Sequence, residues 1–185
     1  LFQMLGAFFA MFAFSPDKIA LMVNYLSVFS SAFTILFMFW SLTLLMKRII
    51  TTTEDTSNSN SIMILGSAFI AAVSFTFTDS FWFNAVEAEV YAMASFLIAL
   101  LFWLGLRWEQ ELETPRGNKW LLIISLVIGL SFGVHFMALL TFPAIGFLYF
   151  FKKYKNITVK SFLLANVVIA AILLFIFKLL LPYTL

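Results

Sequence analysis

The sequence predicts an all-α integral membrane protein, a multispanning helical bundle with about six spans and an N-terminal interfacial helix. Of its 185 residues 63% are hydrophobic and only 11% are charged, and the mean hydropathy is +1.05. Soluble domains need far more polar side chains than this to cover their surface. A membrane β-barrel is excluded, because seven Gly and four Pro are too few for its many turns and its polar alternation is absent.

The hydrophobic stretches predict where each span lies, since a crossing needs about 20 apolar residues. Residues 1–15 indicate an interfacial or partial helix, because the apolar run is short and the breaker Ser15-Pro16-Asp17 follows it. Neither a repeat nor a linker divides the chain, so residues 1–185 are expected to form one domain. The chain begins at Leu1 without a methionine and stops just after a hydrophobic run. We therefore expect it to be an internal piece of a longer protein. Spans are predicted near residues 19–46, 61–78, 90–107, 120–134, 136–151 and 160–181.

Residues 120–151 are too long for one crossing, at about 48 Å of helix. If they fold as a hairpin that turns between His135 and Pro143, nine of the eleven basic residues share one side, whereas a single crossing nearly abolishes that bias. The positive-inside rule then favours the hairpin and makes that side cytoplasmic. The nine are Lys47, Arg48, Arg107, Arg116, Lys119, Lys152, Lys153, Lys155 and Lys160, while Asp17, Lys18, Asp79, Glu87, Glu89 and His135 face the extracytoplasmic side.

The absence of cysteine restricts the chemistry of any site. Thiolate zinc sites, iron–sulfur clusters and disulfides are excluded, and there is a single histidine. A metal would have to be held by oxygen atoms. The net charge of +2 is too small to indicate nucleic acid, so membrane lipid is the expected surrounding and partner.

The segment 79–91 carries the most informative polar residues. Asp79, Glu87 and Glu89 stand there among aromatic side chains at the predicted outer edge of the membrane, where a carboxylate is costly unless it is hydrated, paired or bound to a cation. On a continuous helix Asn84, Glu87 and Tyr91 would share one face and Glu89 would point away, so only one glutamate could face a given pocket. The competing interpretation is an aromatic interface belt in which the glutamates only hydrate the helix end.

Further polar residues have both a packing and a chemical interpretation. His135, at the predicted outer turn, is either a packing residue or a hydrogen-bond donor and proton carrier. Gly129-Leu-Ser-Phe-Gly133 has the spacing that permits close helix packing. Asn24 and Asn166 are expected to form hydrogen bonds between helices rather than to bind a ligand, and Lys178 is expected to reach toward the lipid headgroups.

Four blocks resemble a bacterial family of multispanning proteins long filed as a domain of unknown function. That family is related to the eukaryotic transmembrane protein O-mannosyltransferases and is placed among the GT-C glycosyltransferases, and the resemblance covers nearly the whole chain. The specific block is Asn-Ala-Val-Glu-Ala-Glu-Val-Tyr within Phe-Trp-Phe-Asn-Ala-Val-Glu-Ala-Glu-Val-Tyr-Ala (81–92). The others are Leu-Arg-Trp-Glu (106–109), Asn-Lys-Trp-Leu-Leu (118–122) and Gly-Leu-Ser-Phe-Gly-Val-His-Phe-Met (129–137).

The resemblance implies a GT-C transmembrane module that transfers a sugar from a polyprenyl-phosphate donor to a hydroxyl acceptor, with Ser or Thr of an exported protein as the implied acceptor. The reaction would occur on the extracytoplasmic side of the bacterial inner membrane. In such folds an acidic residue of the first outer loop, in an Asp-Cys-Gly-Glu-Phe-like motif, serves as base or metal ligand. Here that motif would lie before Leu1, so this chain is expected to be inactive by itself.

The candidate roles follow from the chemistry of this transfer, which needs a proton acceptor and a group that holds the leaving phosphate. Glu87, Glu89 and His135 are the candidate catalytic residues, and Asp79, Asn84 and Tyr91 are candidates for substrate binding. A divalent cation and a metal-independent reaction are both open. The rival functions are a non-catalytic structural subunit of a larger membrane assembly and a transporter, although the acids lie at one edge rather than at the bilayer midplane.

Overall fold

The computed structural model describes residues 1–50 and 58–180, and throughout these residues the regular structure is helical. The fold is that of an all-α multispanning membrane protein, as the composition predicts. The helices are α1 (Phe2–Ala10), α2 (Ile19–Ile50), α3 (Asn58–Thr76), α4 (Asp79–Val86), α5 (Val90–Glu111), α6 (Gly117–Phe132), α7 (Thr141–Lys153) and α8 (Val159–Phe175), with short 3-10 turns at Pro16–Lys18 and Phe136–Leu140 and a π turn at Ile176–Leu180.

Five helical segments in the described part of the chain are long and apolar enough to cross a membrane. They are Pro16–Ile50, Asn58–Thr76, Val90–Glu111, Phe136–Lys153 and Val159–Lys178. The apolar α6 is shorter, at 16 residues, and α1 extends only about 14 Å, half the thickness of a hydrocarbon core. Residue 181 of the last predicted span, and the connector acids Glu54 and Asp55, lie outside the described residues.

The long apolar stretch 120–151 is not one continuous helix. α6 ends at Phe132, the 3-10 turn begins at Phe136, and α7 begins at Thr141. The interruption lies where the charge distribution predicts a turn. Whether the two pieces cross the membrane as a hairpin stays a prediction.

The described residues form two compact units, Leu1–Leu139 and one that begins at Leu140. In the first unit α2 and α5 run side by side in the same direction, since Phe33 contacts Phe96 and Trp40 contacts Trp103. α6 is antiparallel to α5, because Trp120 lies against Trp103 while the residues after α6 approach Tyr91. The start of α5 and the end of α6 therefore meet at one end of this unit.

A stripe of hydroxyl side chains lines the buried face of α2, a feature that the sequence analysis missed. Ser30 and Thr34 donate to the carbonyl oxygens of Leu26 and Ser30, four residues earlier, at 2.7 and 2.8 Å. Small side chains let helices approach closely, and the buried hydroxyls of Ser27, Ser31 and Ser41 have no hydrogen-bond partner among the described residues. The period of three and four residues was the available signal. The buried members are Ser27, Ser30, Ser31, Thr34 and Ser41.

Asn166 does not form the predicted interhelical hydrogen bond. Its Nδ2 donates to the carbonyl oxygen of Phe162, 2.8 Å away in the same helix, because a carbonyl four residues back is within reach of the short amide. The Asn24 side chain has no hydrogen-bond partner among the described residues, so within them neither asparagine forms the predicted interhelical bond.

The second unit contains α7 and α8. Gly146 allows close contact, since a methyl group there would lie 3.0 Å from the Ile169 side chain. The rings of Phe147 and Phe162 stack with their centroids 5.7 Å apart. α8 begins with a capping box in which the Thr158 side chain accepts from the backbone N–H of Ser161, so its first turn has satisfied donors.

Single cysteines test the predicted orientation cleanly, because the protein has none of its own. We expect an impermeant maleimide to label cysteine at Asp79 or Glu89 from the extracytoplasmic side and at Lys119 or Lys153 only after the membrane is opened, following the positive-inside assignment. All four positions are exposed. Outside labelling at Lys153 would mean that residues 120–151 cross only once.

Candidate functional site

The polar segment 79–91 is two helices and a turn rather than one continuous helix. α4 ends at Val86, Glu87 is extended (φ −108°, ψ 142°), and α5 begins after Glu89. The backbone N–H of Glu89 donates to the carbonyl of Glu87 at 2.9 Å, which makes a three-residue turn around Ala88. The face shared by Asn84, Glu87 and Tyr91 therefore does not exist.

The two glutamates stand at opposite kinds of helix terminus. A carboxylate is disfavoured at a helix C-terminus and favoured at an N-terminus. Glu87 caps the C-terminus of α4, where the dipole disfavours its charge, and Glu89 caps the N-terminus of α5, where the dipole favours it. Asp79 lies in the first turn of α4, where the same effect stabilises it.

A cavity of about 540 Å³ lies where α1, α5 and α6 meet. Glu89 and Tyr91 line it from the start of α5. Of the six candidate residues, these two are on its wall, whereas Asp79, Asn84 and Glu87 are not. The lining consists of Leu1, Phe2, Gln3, Ala88, Glu89, Val90, Tyr91, Gly133 and Val134.

His135 lies beside this cavity, against Tyr91. The two ring centroids are 5.4 Å apart with an interplanar angle of 51°. The backbone N–H of Met137 donates to His135 Nδ1 at 3.2 Å, so in the neutral imidazole the proton resides on Nε2. Nε2–H is thus the donor that the ring can offer to a ligand.

The sequence analysis missed the contribution of α1. Phe2 and Gln3 line the cavity, and the Phe2 N–H lies 3.4 Å from the carbonyl oxygen of Gly133. The signal was the glycine pair 129 and 133, whose expected role was packing between helices. At Gly129 a methyl group would meet nothing within 4 Å, whereas at Gly133 it would lie 3.1 Å from Leu1 Cβ. Only Gly133 has a packing role, and its neighbour is the beginning of α1.

Substitution of Gly133 is expected to disturb this junction. Gly133→Val should lower the melting temperature of the purified protein by several degrees, because overpacking costs about 1–3 kcal/mol. Gly129→Val, in open space on the same helix, is the matched control and should be close to neutral. Equal melting temperatures for the two variants would show that α1 does not press on Gly133.

The described residues do not form a divalent-cation site by themselves. Nowhere in this part of the chain do three His, Asp or Glu side chains come together as ligands, and hard cations need several oxygen ligands at once. Asp79, Glu87 and Glu89 are spread over α4 and the turn, so no chemical step is assigned to a metal.

The fold and this cavity define the class of the protein: a multi-pass helical membrane protein with a partly polar cavity at one end of its bundle. Residues 1–158 match the family described as the protein O-mannosyl-transferase TMEM260 N-terminal domain. The match covers most of the chain, which therefore belongs to this family. Neither the curated proteins nor the solved structures that were compared with the chain gave a match.

Proposed function

We propose that the complete protein carrying this chain is a membrane glycosyltransferase that moves a sugar from a polyprenyl-phosphate donor to a hydroxyl group of an exported protein. The reaction would take place on the extracytoplasmic side of a bacterial inner membrane. Membership of a protein O-mannosyl-transferase family supports the reaction class. The observation that locates the proposed site is a single cavity, which is lined by Glu89 and Tyr91 together with the residues that follow α6.

The transfer requires one bond to form and one to break at the anomeric carbon of the sugar. The acceptor oxygen attacks the anomeric carbon. The bond between this carbon and the phosphate oxygen breaks, and the polyprenyl phosphate leaves with the electron pair of that bond. The acceptor hydroxyl must lose its proton to a nearby base, and the leaving phosphate must be stabilised as its charge grows.

Glu89 and His135 suit these two tasks. The exposed carboxylate of Glu89 on the cavity wall accepts the hydrogen bond, and then the proton, of the acceptor hydroxyl. His135 donates from Nε2–H to the leaving phosphate, since its Nδ1 is occupied by Met137 N–H. Tyr91 packs on the imidazole and limits its rotation, and Gln3 adds an amide to the same wall.

Asp79, Asn84 and Glu87 have weaker support. They lie on α4 or at its end and do not line the cavity, so we propose that they bind the acceptor protein outside it.

The test is a transfer assay with membranes that contain the complete protein. Mannose linked to a polyprenyl phosphate is the first donor to try, because the family name specifies mannosyl transfer, and a Ser/Thr-rich peptide serves as acceptor. Sugar on the peptide, dependent on the lipid-linked donor, supports the proposal. A folded protein that transfers no sugar from any lipid-linked donor would contradict it and favour a structural subunit or a transporter.

A further inference from the structure

A second cavity lies at the other end of the first unit, away from His135. Its volume is about 370 Å³, and three helices contribute to its wall. We call it the tryptophan cavity. It is lined by Trp40, Thr43 and Leu44 of α2, Trp103 and Arg107 of α5, and Trp120 of α6.

The three indoles form a continuous aromatic wall. The Trp103 ring is 5.4 Å from that of Trp40 and 6.0 Å from that of Trp120, centroid to centroid. Trp120 Nε1 donates to Glu111 at 3.0 Å, but the indole N–H groups of Trp40 and Trp103 have no hydrogen-bond partner in the described part of the chain. An indole in a membrane interface usually offers its N–H to a polar group.

Arg107 is held over this wall by several contacts. Its guanidinium carbon lies 5.4 Å from the centroid of Trp120, and its terminal nitrogens donate to Gln110 at 3.2 Å and Glu111 at 3.4 Å. A guanidinium has five N–H donors in a plane, so donors are left over. The side chain is about one third exposed, and it can therefore receive a ligand without rearranging.

The wall of the tryptophan cavity changes from polar to apolar along the axis of α5. Residues 90–106 of α5 carry no charge, and Arg107 is the first charged residue after them. Trp103 lies on the same face one turn deeper, about 6 Å along the axis. A ligand that fits both ends has an anionic group beside an apolar tail.

We propose that the tryptophan cavity binds a membrane glycerophospholipid, whose phosphodiester lies at Arg107 and whose acyl chain lies along Trp103 and Leu44. The guanidinium supplies charge-assisted donors for the phosphate oxygens. Trp40 and Trp103 line the same cavity, and their indole N–H groups are the donors we assign to the ester oxygens. A quaternary ammonium group does not fit, because Arg107 already places a cation on the face of Trp120. This site does not depend on the proposed sugar transfer.

Native mass spectrometry of the detergent-purified chain, titrated with dioleoylphosphatidylglycerol, measures this binding directly. We expect one tightly bound lipid in the wild type and about tenfold weaker binding in Arg107→Gln, as for loss of a charged hydrogen bond. Arg116→Gln is the matched control, because Arg116 is exposed, basic and absent from the cavity wall. Unchanged affinity in Arg107→Gln would overturn the proposal, and so would equal binding of dioleoylglycerol, which lacks the phosphate.

A second variant separates phosphate recognition from a structural role of Arg107. Glu111→Gln removes the carboxylate that competes for the guanidinium while its amide oxygen can still accept from Trp120. If Arg107 binds phosphate, this variant should bind the lipid about threefold more tightly, since a neutralising charge is lost. If Arg107 only braces the helices, Glu111→Gln should weaken binding as Arg107→Gln does, and that result would overturn the proposal.

Discussion

Replacement of Glu89 by glutamine is expected to lower sugar transfer by the complete protein by about 10²–10⁴-fold, the usual contribution of a general base. Glu89 is the carboxylate on the wall of the cavity where α1, α5 and α6 meet. Glutamine keeps the size and the hydrogen-bonding oxygen but cannot take the proton of the acceptor hydroxyl. The measurement is the rate of sugar transfer from the polyprenyl-phosphate donor, with protein amount and melting temperature determined for each variant.

Glu87→Gln is the matched control for this experiment. Both glutamates are exposed and they stand two residues apart, but Glu87 is not on the cavity wall. At saturating acceptor we expect the control to transfer sugar at close to the wild-type rate, because weaker acceptor binding outside the cavity would raise KM without lowering turnover. Loss of the negative charge at the start of α5 lowers the stability of the Glu89→Gln variant by at most about 1 kcal/mol. Such a change in folding stability is too small to account for a hundredfold loss in transfer rate. A wild-type rate in Glu89→Gln, or an equal loss in both variants, would remove Glu89 from the reaction.

The membrane architecture could be predicted from the sequence because hydrophobic length and charge act locally. The predicted span 19–46 begins at the first residue of α2, and the helix runs four residues beyond the predicted end. Lys47 and Arg48 lie in its last turn, where basic side chains favour a helix terminus. Length and the distribution of basic residues predicted a turn between His135 and Pro143, and the helical chain is interrupted between Phe132 and Thr141.

The helix break at Glu87 and Glu89 could not be predicted from local rules. Glutamate and alanine favour helix, and no glycine or proline marks the turn around Ala88. The break goes with packing on both sides of it, since Phe81 of α4 and Ala92 of α5 are both buried. On a single helix, Glu87 would share a face with Tyr91 and Glu89 would point away. In the structure, Glu89 and Tyr91 line the same cavity.

The composition of the cavity depends on contacts between distant parts of the chain. Phe2 and Gln3 come from α1, more than 80 residues before Tyr91. They lie in a mostly apolar segment whose sequence gives no signal of this contact. In the structure, the lack of space at Gly133 marks the approach of α1. The pairing of His135 with Tyr91 was within reach of sequence reasoning, since both were placed at the outer ends of adjacent helices.

Substitution of His135 is expected to have the second-largest effect on transfer, and the choice of residue tests its role. His135→Leu should lower the rate by about 10²-fold, as for loss of one donor to a developing oxyanion. His135→Gln should recover part of this loss, because its amide N–H can replace Nε2–H as the donor to the leaving phosphate. The measurement is the transfer rate at saturating donor, where phosphate stabilisation affects turnover.

Tyr91→Phe provides the control for packing, since it keeps the ring that lies 5.4 Å from the imidazole and removes only the hydroxyl. This variant should retain most of the activity if Tyr91 acts by holding His135 in place. A glutamine variant as slow as the leucine variant would contradict hydrogen-bond donation by His135. Full activity in His135→Leu would show that the imidazole has no part in turnover and that another group stabilises the leaving phosphate.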